Sequence, residues 1–250
     1  MSAYGPSAVR PSRPPLSSTL WALLRSEPAS GKPSSPFTHV TLHHLTLPTA
    51  QSLSGLVDYT HSVFAAEVAA GLTYPQEVSP GEEYTLQAFE GYVWSADVIV
   101  AIGGSGDVSG VTDGAEVSGG VEEASKGRSW EESLVGFYYV KPNYPGRSSH
   151  ICNAGFVIPP QHRRFGYGKI LGRSYLHYGP SLGYKASVFN LVYVSNVGSM
   201  RIWDGLGFTR AGLIPRAGRL KKADGSGEEW TDAVVFYKSF LGEEDWAKSI

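Results

Sequence analysis

The sequence predicts a mixed α/β (α+β) fold, with one central sheet of about seven strands flanked by helices. Three observations predict it. Apolar runs of strand length recur along the chain, bounded by Gly and Pro. In the second half they alternate with helical patterns, the mark of a layered α/β architecture. Residues 187–194 (SVFNLVYV) are apolar almost without a break, as expected of a strand covered on both faces.

Taken in order, residues 39–45 read as a first strand. Residues 53–70 carry Leu53, Leu56, Val57, Val63, Phe64 and Val68 near helical spacing, and Gly71 closes the helix. Residues 84–93 are mixed, and 94–102 (WSADVIVAI) read as a strand. Residues 103–128 are mostly Gly, Ser, Asp and Glu, which bury too little apolar area to offset their ordering entropy, so a long flexible loop is expected. Residues 134–140 (LVGFYYV) are a strand, and Pro142 and Pro145 mark a turn. Residues 151–158 (ICNAGFVI) are the next strand, ended by Pro159 and Pro160. A helix follows over 164–178, with Ile170, Leu171, Tyr175 and Leu176 on one side. After strand 187–194, Asn196 is placed to cap a helix running through Trp203 to Gly207. Residues 208–213 and 233–237 read as the last strands.

Composition narrows the function classes. Hydrophobic residues are 42% and charged residues 18% of the 250, an ordinary globular balance. The formal net charge of −2 creates no field favouring nucleic acid or an acidic membrane surface. No apolar run approaches the roughly 20 residues that cross a bilayer. Cys152 is the one cysteine, which forbids an intrachain disulfide and suits the cytoplasm. Residues 1–36 form a Ser/Pro-rich extension ahead of a domain over 37–250. With Arg10, Arg13 and Arg25 before the first acid, Glu27, the extension has the composition of a mitochondrial transit peptide. Pro11, Pro14 and Pro15 interrupt any long amphipathic helix there, which favours a tail.

The segment that carries chemistry is 158–169 (IPPQHRRFGYGK), where a strand ends, a basic glycine-bearing turn follows and a helix begins. Arg163, Gly166 and Gly168 form R-x-x-G-x-G. The first turn of a helix leaves backbone N–H groups unpaired at the positive end of the macrodipole. Glycines without Cβ let a diphosphate approach those groups, and Arg163, Arg164 and Lys169 add positive charge. A dinucleotide fingerprint is excluded: the spacing is Gly166, Gly168, Gly172, and the first acid downstream, Asp204, is too distant. The other Gly-rich stretch, 103–128, lacks the Lys-Ser/Thr ending of a P-loop and carries acids that repel phosphate.

R-x-x-G-x-G after a strand, followed by a strand and N-x-x-S-x-x-I-W-x-x-L-G-F over 196–208, resembles the acetyl-CoA core of the GNAT N-acetyltransferase superfamily. The motifs VKPNY (140–144), HICNAGF (150–156), FNLVYVSN (189–196) and LIPRAG (213–218) resemble its fungal branch, the yeast-type N-acetyltransferases of the proline analogue azetidine-2-carboxylate. The resemblance implies central strands splayed around Ile158 and Val188, with acetyl-CoA as cosubstrate in the cleft. It implies that Phe156, Val157 and Ile158 offer backbone groups to the pantetheine arm. Arg163, Arg164, Phe165, Gly166, Tyr167, Gly168 and Lys169 would hold the pyrophosphate. Asn196, with Ser199 and Trp203, would line the cofactor arm near the thioester. Asn153 and Asn190 would bind the substrate, and Asn190 and Asn196 would serve catalysis. The implied acceptor is the amine of a small molecule, a proline-like imino acid or another amino acid, and the implied assembly is a homodimer.

Trp203 stands where many relatives place a Tyr that protonates the leaving thiolate, and an indole N–H does not give up its proton near neutral pH. Asp97, Asp204 and Asp232 are carboxylates near predicted strand ends, where caps and salt bridges also occur. A protein or histone lysine acetyltransferase, using the acidic loop as a peptide groove, and a non-catalytic CoA-binding sensor are the alternatives. A metal is not expected: His43 and His44 point to opposite faces of a strand, and His150 and Cys152 have no third ligand at metal spacing.

Overall fold

A computed structural model describes residues 14–23, 34–79 and 81–248. Arg10, Arg13, Arg25 and Glu27, on which the transit-peptide reading rests, lie outside them. The elements are β1 (Thr19–Ala22), β2 (His39–Leu45), α1 (Leu47–Gln51), α2 (Leu56–Ala70), α3 (Leu86–Phe89), a π turn (Glu90–Trp94), β3 (Asp97–Gly104), β4 (Ala115–Glu116), α4 (Val121–Ser125), α5 (Trp130–Ser133), β5 (Leu134–Pro142), β6 (Ile151–Val157), α6 (Tyr167–Ser181), β7 (Ala186–Tyr193), α7 (Val197–Gly205), β8 (Thr209–Lys221), β9 (Glu228–Ser239) and α8 (Glu243–Ala247). They build one mixed sheet ordered β4-β1-β2-β3-β5-β6-β7-β9-β8. Every neighbouring pair is antiparallel except β6 with β7.

The expected mixed sheet is present, with nine strands in place of about seven. The two extra strands come from segments whose composition hides them. β1 lies in the Ser/Pro-rich segment and pairs with β2. β4 lies in the Gly/acidic stretch, which also holds α4, and pairs with β1. Asp113 ties that stretch inward, accepting from the Ala22 N–H at 2.9 Å and pairing with Arg173 of α6 at 2.5 Å.

Two cores sit on opposite faces of the sheet. On one, Ile170, Leu171, Tyr175 and Tyr178 of α6 pack on Leu42, Ile99, Tyr138 and Val140. On the other, Leu56, Val63, Phe64 and Val68 of α2 pack on Val98, Val100, Ile102, Phe137 and Tyr139. The helix expected over 53–70 is broken by Gly55 at φ 75°, with α1 before it, and Gly71 ends α2 at φ 64° as its position predicts. Residues 84–96 are helical and turn structure, so β3 starts at Asp97, not Trp94. The last two strands form a hairpin far longer than predicted, because β8 is mostly exposed and carries no apolar alternation to read.

The site is set by one irregularity. β6 and β7 pair only at Ile151–Ala186 and Cys152–Ser187, then part. On the α6 side the rings of Phe156, Phe189 and Trp203 fill the wedge, with centroids 4.5 to 6.0 Å apart. Incompressible rings between two strands prevent them from closing.

Candidate active site

The cleft between β6 and β7 has two ends of different construction. At one end, β6 leads through Ile158, Pro159 and a 3-10 turn at Pro160–His162 to the start of α6. The backbone N–H groups of Arg164, Phe165, Gly166, Tyr167 and Gly168 donate to no acceptor among the described residues. Gly166, the N-cap, sits at φ 94°, and a Cβ there would meet nothing within 4 Å, so the approach is open. Arg164 and Lys169 are exposed and form no ion pair among the described residues. Unpaired donors, the macrodipole and two free cations form a cradle that fits a diphosphate.

The other members of the motif have inward tasks. The Arg163 guanidinium pairs with Glu67 of α2, and its Nε donates to the Ile158 carbonyl at 3.0 Å, so it clamps the turn to α2. Tyr167 is 1% exposed and its hydroxyl bonds Ser35 Oγ at 2.7 Å, which anchors the first turn of α6 in the core. Phe165 packs beside that ring. A Cβ on Gly168 would come within 3.1 Å of Ile202, and one on Gly172 within 2.8 Å of Leu206, so both glycines serve the contact of α6 with α7.

Midway along the cleft, Asn196 caps α7, accepting the Ser199 N–H at 3.1 Å. Ser199 Oγ accepts the indole N–H of Trp203 at 2.8 Å. Trp203 is 4% exposed and forms the floor under Phe156 and Phe189. Val157 pairs with Phe137 of β5, and the Phe156 carbonyl accepts from Tyr74 at 3.3 Å.

The end on the α2 face is built from side chains. Asn190 of β7 exchanges two amide hydrogen bonds with Asn143, at 3.1 and 2.6 Å, and also accepts from the Tyr144 hydroxyl at 3.4 Å. Asn153 of β6 lies opposite Lys141 of β5, and its Oδ1 accepts the Ala154 N–H at 2.8 Å. Tyr139 lies across Gly155, where an added Cβ would come within 2.5 Å of the ring. The Tyr139 and Tyr92 hydroxyls bond at 2.8 Å. Burial pushes the Tyr74 and Tyr139 hydroxyls well above the ordinary phenol range, with the neighbouring Tyr92 adding to it, so both keep their protons.

The carboxylates considered as bases are engaged elsewhere: Asp97 with His44 at 3.0 Å, Asp204 with Arg210 at 2.7 Å, and Asp232 with the Arg216 N–H at 2.7 Å. Cys152 is buried against the Tyr175 hydroxyl at 3.0 Å. No group of three or more His, Cys, Asp or Glu able to hold a metal occurs among the described residues. None of the helices described is long and apolar enough to cross a membrane. Sequence reasoning missed Tyr74, Tyr92, Tyr139, Lys141 and Asn143. Lys141 and Asn143 had one signal, their place in the motif VKPNY (140–144); Tyr74 and Tyr92 had none.

A parallel strand pair that parts over a helix N-terminus with free amides defines an acyl-transfer cleft for a nucleotide-bearing thioester. Residues 121–208 match the Acetyltransferase (GNAT) family. The N-acetyltransferase aca1 of Schizosaccharomyces pombe is 38% identical over 182 residues, 73% of this chain and 79% of that protein. A GCN5-related N-acetyltransferase from Kribbella flavida has a similar fold, with a TM-score of 0.57 at 19% identity over 79% of this chain and 97% of the other. A phosphinothricin acetyltransferase from Sinorhizobium meliloti, solved with acetyl-CoA, gives a TM-score of 0.55 at 17% identity over 82% and 89%. The chain belongs to the GNAT family of acetyl-CoA-dependent N-acetyltransferases.

Proposed function

We propose that the chain transfers the acetyl group of acetyl-CoA to the amine of a small amino or imino acid, with proline-like compounds foremost. The observation that carries this is the pair of asparagines at the splay. Asn153 and Asn190 stand on parted strands, and a polar amide in such a place is matched to a zwitterion, since it donates to a carboxylate and accepts from an amine. The fungal resemblance of the motifs holding these residues, and aca1 as a relative, support the reading.

Acetyl-CoA supplies a thioester whose C–S bond breaks as the new N–C bond forms, giving an amide and the CoA thiol. The chain's work is positioning. The free amides from Arg164 to Gly168 hold the diphosphate, with Arg164 and Lys169 completing the charge. Asn143 and Tyr144 hold the Asn190 amide in one orientation, as preorganised polar groups require. Asn196 caps α7 and would thereby hold that terminus in place for the cofactor arm near the thioester. The Trp203 indole floors the cleft, excludes water and cannot act as an acid. The amine attacks in its neutral form; solvent takes the proton that the nitrogen sheds and returns one to the CoA thiolate, which Trp203 cannot protonate.

A protein-lysine acceptor would need the acidic stretch near the cleft. That stretch is joined to the sheet through β4, the outermost strand on the side away from β7, which disfavours the alternative. The test is CoA thiol release with acetyl-CoA and a panel of amines: amino acids, imino acids, polyamines and a lysine peptide. Turnover of amino or imino acids supports the proposal. Turnover of the lysine peptide alone, or CoA binding without any turnover, overturns it.

A further inference from the structure

We propose that Lys141, together with the Asn153 amide, binds the carboxylate of the acceptor, which makes the site selective for α-amino and imino acids over amines that lack an acid group. The inference rests on the acetyl-transfer reading and deepens it. Its first support is position. Lys141 of β5 is the direct register partner of Asn153, the first β6 residue beyond the last pairing with β7, and partners in register share a face of the sheet. That face is the one carrying Tyr139, Tyr92 and Tyr74, opposite the aromatic wedge.

The second support is an uncompensated charge. Two arginines elsewhere in the chain have carboxylates: Arg163 has Glu67 and Arg173 has Asp113. Lys141 has none within 4 Å among the described residues. Its Nζ instead sits 3.8 Å from the Tyr92 ring centroid and 4.6 Å from that of Tyr139, and donates once, to the Tyr92 carbonyl at 3.2 Å. Two N–H bonds of the ammonium therefore have no acceptor among the described residues. Burial lowers its pKa to about 8, so at neutral pH it is still a cation, partly buried and without a counter-ion among the described residues. A structural lysine reaches for solvent or for a carboxylate. A lysine clamped between two rings, with donors to spare, is arranged to receive an anion.

The third support is complementarity. Ala154 N–H occupies Asn153 Oδ1 at 2.8 Å and so turns the amide to present Nδ2, which donates to nothing among the described residues. From neighbouring strands at one register position, an ammonium and an amide N–H offer one donor to each oxygen of a carboxylate.

The test uses the full chain and its Lys141→Met and Lys141→Arg variants, with L-proline, azetidine-2-carboxylate and their primary amides as acceptors. Wild type is expected to prefer each acid over its amide at least a hundredfold in kcat/KM. Lys141→Met should raise the KM for the acids at least thirtyfold, abolish the acid-over-amide preference and melt no lower than wild type, because it replaces a buried charge with an apolar chain. Lys141→Arg should recover part of the preference. Equal use of acids and amides by wild type, or a KM for the acids within threefold of wild type in Lys141→Met, overturns the proposal. Should the Met variant not fold, the wild-type ratio decides alone. If no acceptor is turned over, the transfer reading falls separately, and calorimetry of L-proline with the acetyl-CoA-loaded protein decides for Lys141. Heat lost only in Lys141→Met supports it; no heat, or equal heat in both, overturns it.

Discussion

The two ends of the cleft solve opposite problems with opposite materials. The cradle at the start of α6 is made of backbone amides within five consecutive residues, is exposed, and leaves its cations in water. The acceptor end is made of side chains from α2's exit, the π turn, β5, β6 and β7, and holds a cation among tyrosine rings. Backbone donors cost the fold little, because a helix start leaves them unpaired anyway. A desolvated ammonium costs stability for as long as it has no partner. On the proposed reading, one end would recognise a part common to every CoA thioester, whereas the other would be specialised for a particular acceptor at the expense of stability.

The largest expected effect tests that expense. Lys141 loses its proton near pH 8 in the folded chain, against 10.5 as its ordinary value. Between those values the unfolded state binds more protons, so stability rises with pH through the window, and below pH 8 the full cost is present. The difference of the two values corresponds to at most about 3 kcal/mol. Burial pushes the hydroxyls of Tyr74, Tyr84 and Tyr139 upward, so these three keep their protons through the window in which Lys141 changes charge. Urea unfolding at pH 7.5 and 9.5 should show wild type gaining stability relative to Lys141→Met. A pH-independent difference would break the comparison.

Next is the cradle. Gly166→Val places a β-branched residue at φ 94° and a side chain in open approach space, so the Kd for acetyl-CoA should rise about a hundredfold, or about 2.7 kcal/mol. The acceptor KM, measured with saturating acetyl-CoA, should stay within threefold. An unchanged Kd would remove the diphosphate from this turn. Asn143→Ala should do the reverse, leaving an Asn190 amide without its partner and raising the acceptor KM by about ten- to thirtyfold, in line with 1–2 kcal/mol for an unmet polar group. Its acetyl-CoA Kd should match wild type; a shift there would join the two ends into one. Smallest is Asn196→Ala, which deletes the α7 cap and should cost about 1 kcal/mol, or about 3 °C in Tm, with Asn196→Asp restoring it. Full turnover in a folded Asn196→Ala protein would take that residue out of the cofactor arm.

The fold was legible where patterns are short and local. Residues 187–194 announced a buried strand, Gly71 a helix end and Asn196 a helix cap, because each depends on periodicity or on neighbours within a turn. β1 and β4 were hidden, since a four-residue and a two-residue strand gain their pairing from β2 and from each other, not from any alternation of their own. The glycines show the same limit inside the motif. Composition marks Gly166 and Gly168 alike, but the first holds a left-handed turn open to solvent and the position of Ile202 gives the second to helix packing.

The sequence by itself determined the strand–turn–helix proposed to hold the diphosphate, and the family, because a helix start following a strand is written in adjacent residues whose unpaired amides follow from chain geometry alone. Only the tertiary structure decided the acceptor end. Tyr74, Tyr92, Lys141, Asn153 and Asn190 are brought together across more than a hundred residues by sheet register and by the parting of β6 from β7. Contacts between groups so far apart depend on which strands pair and where the pairing stops, and no local pattern encodes either.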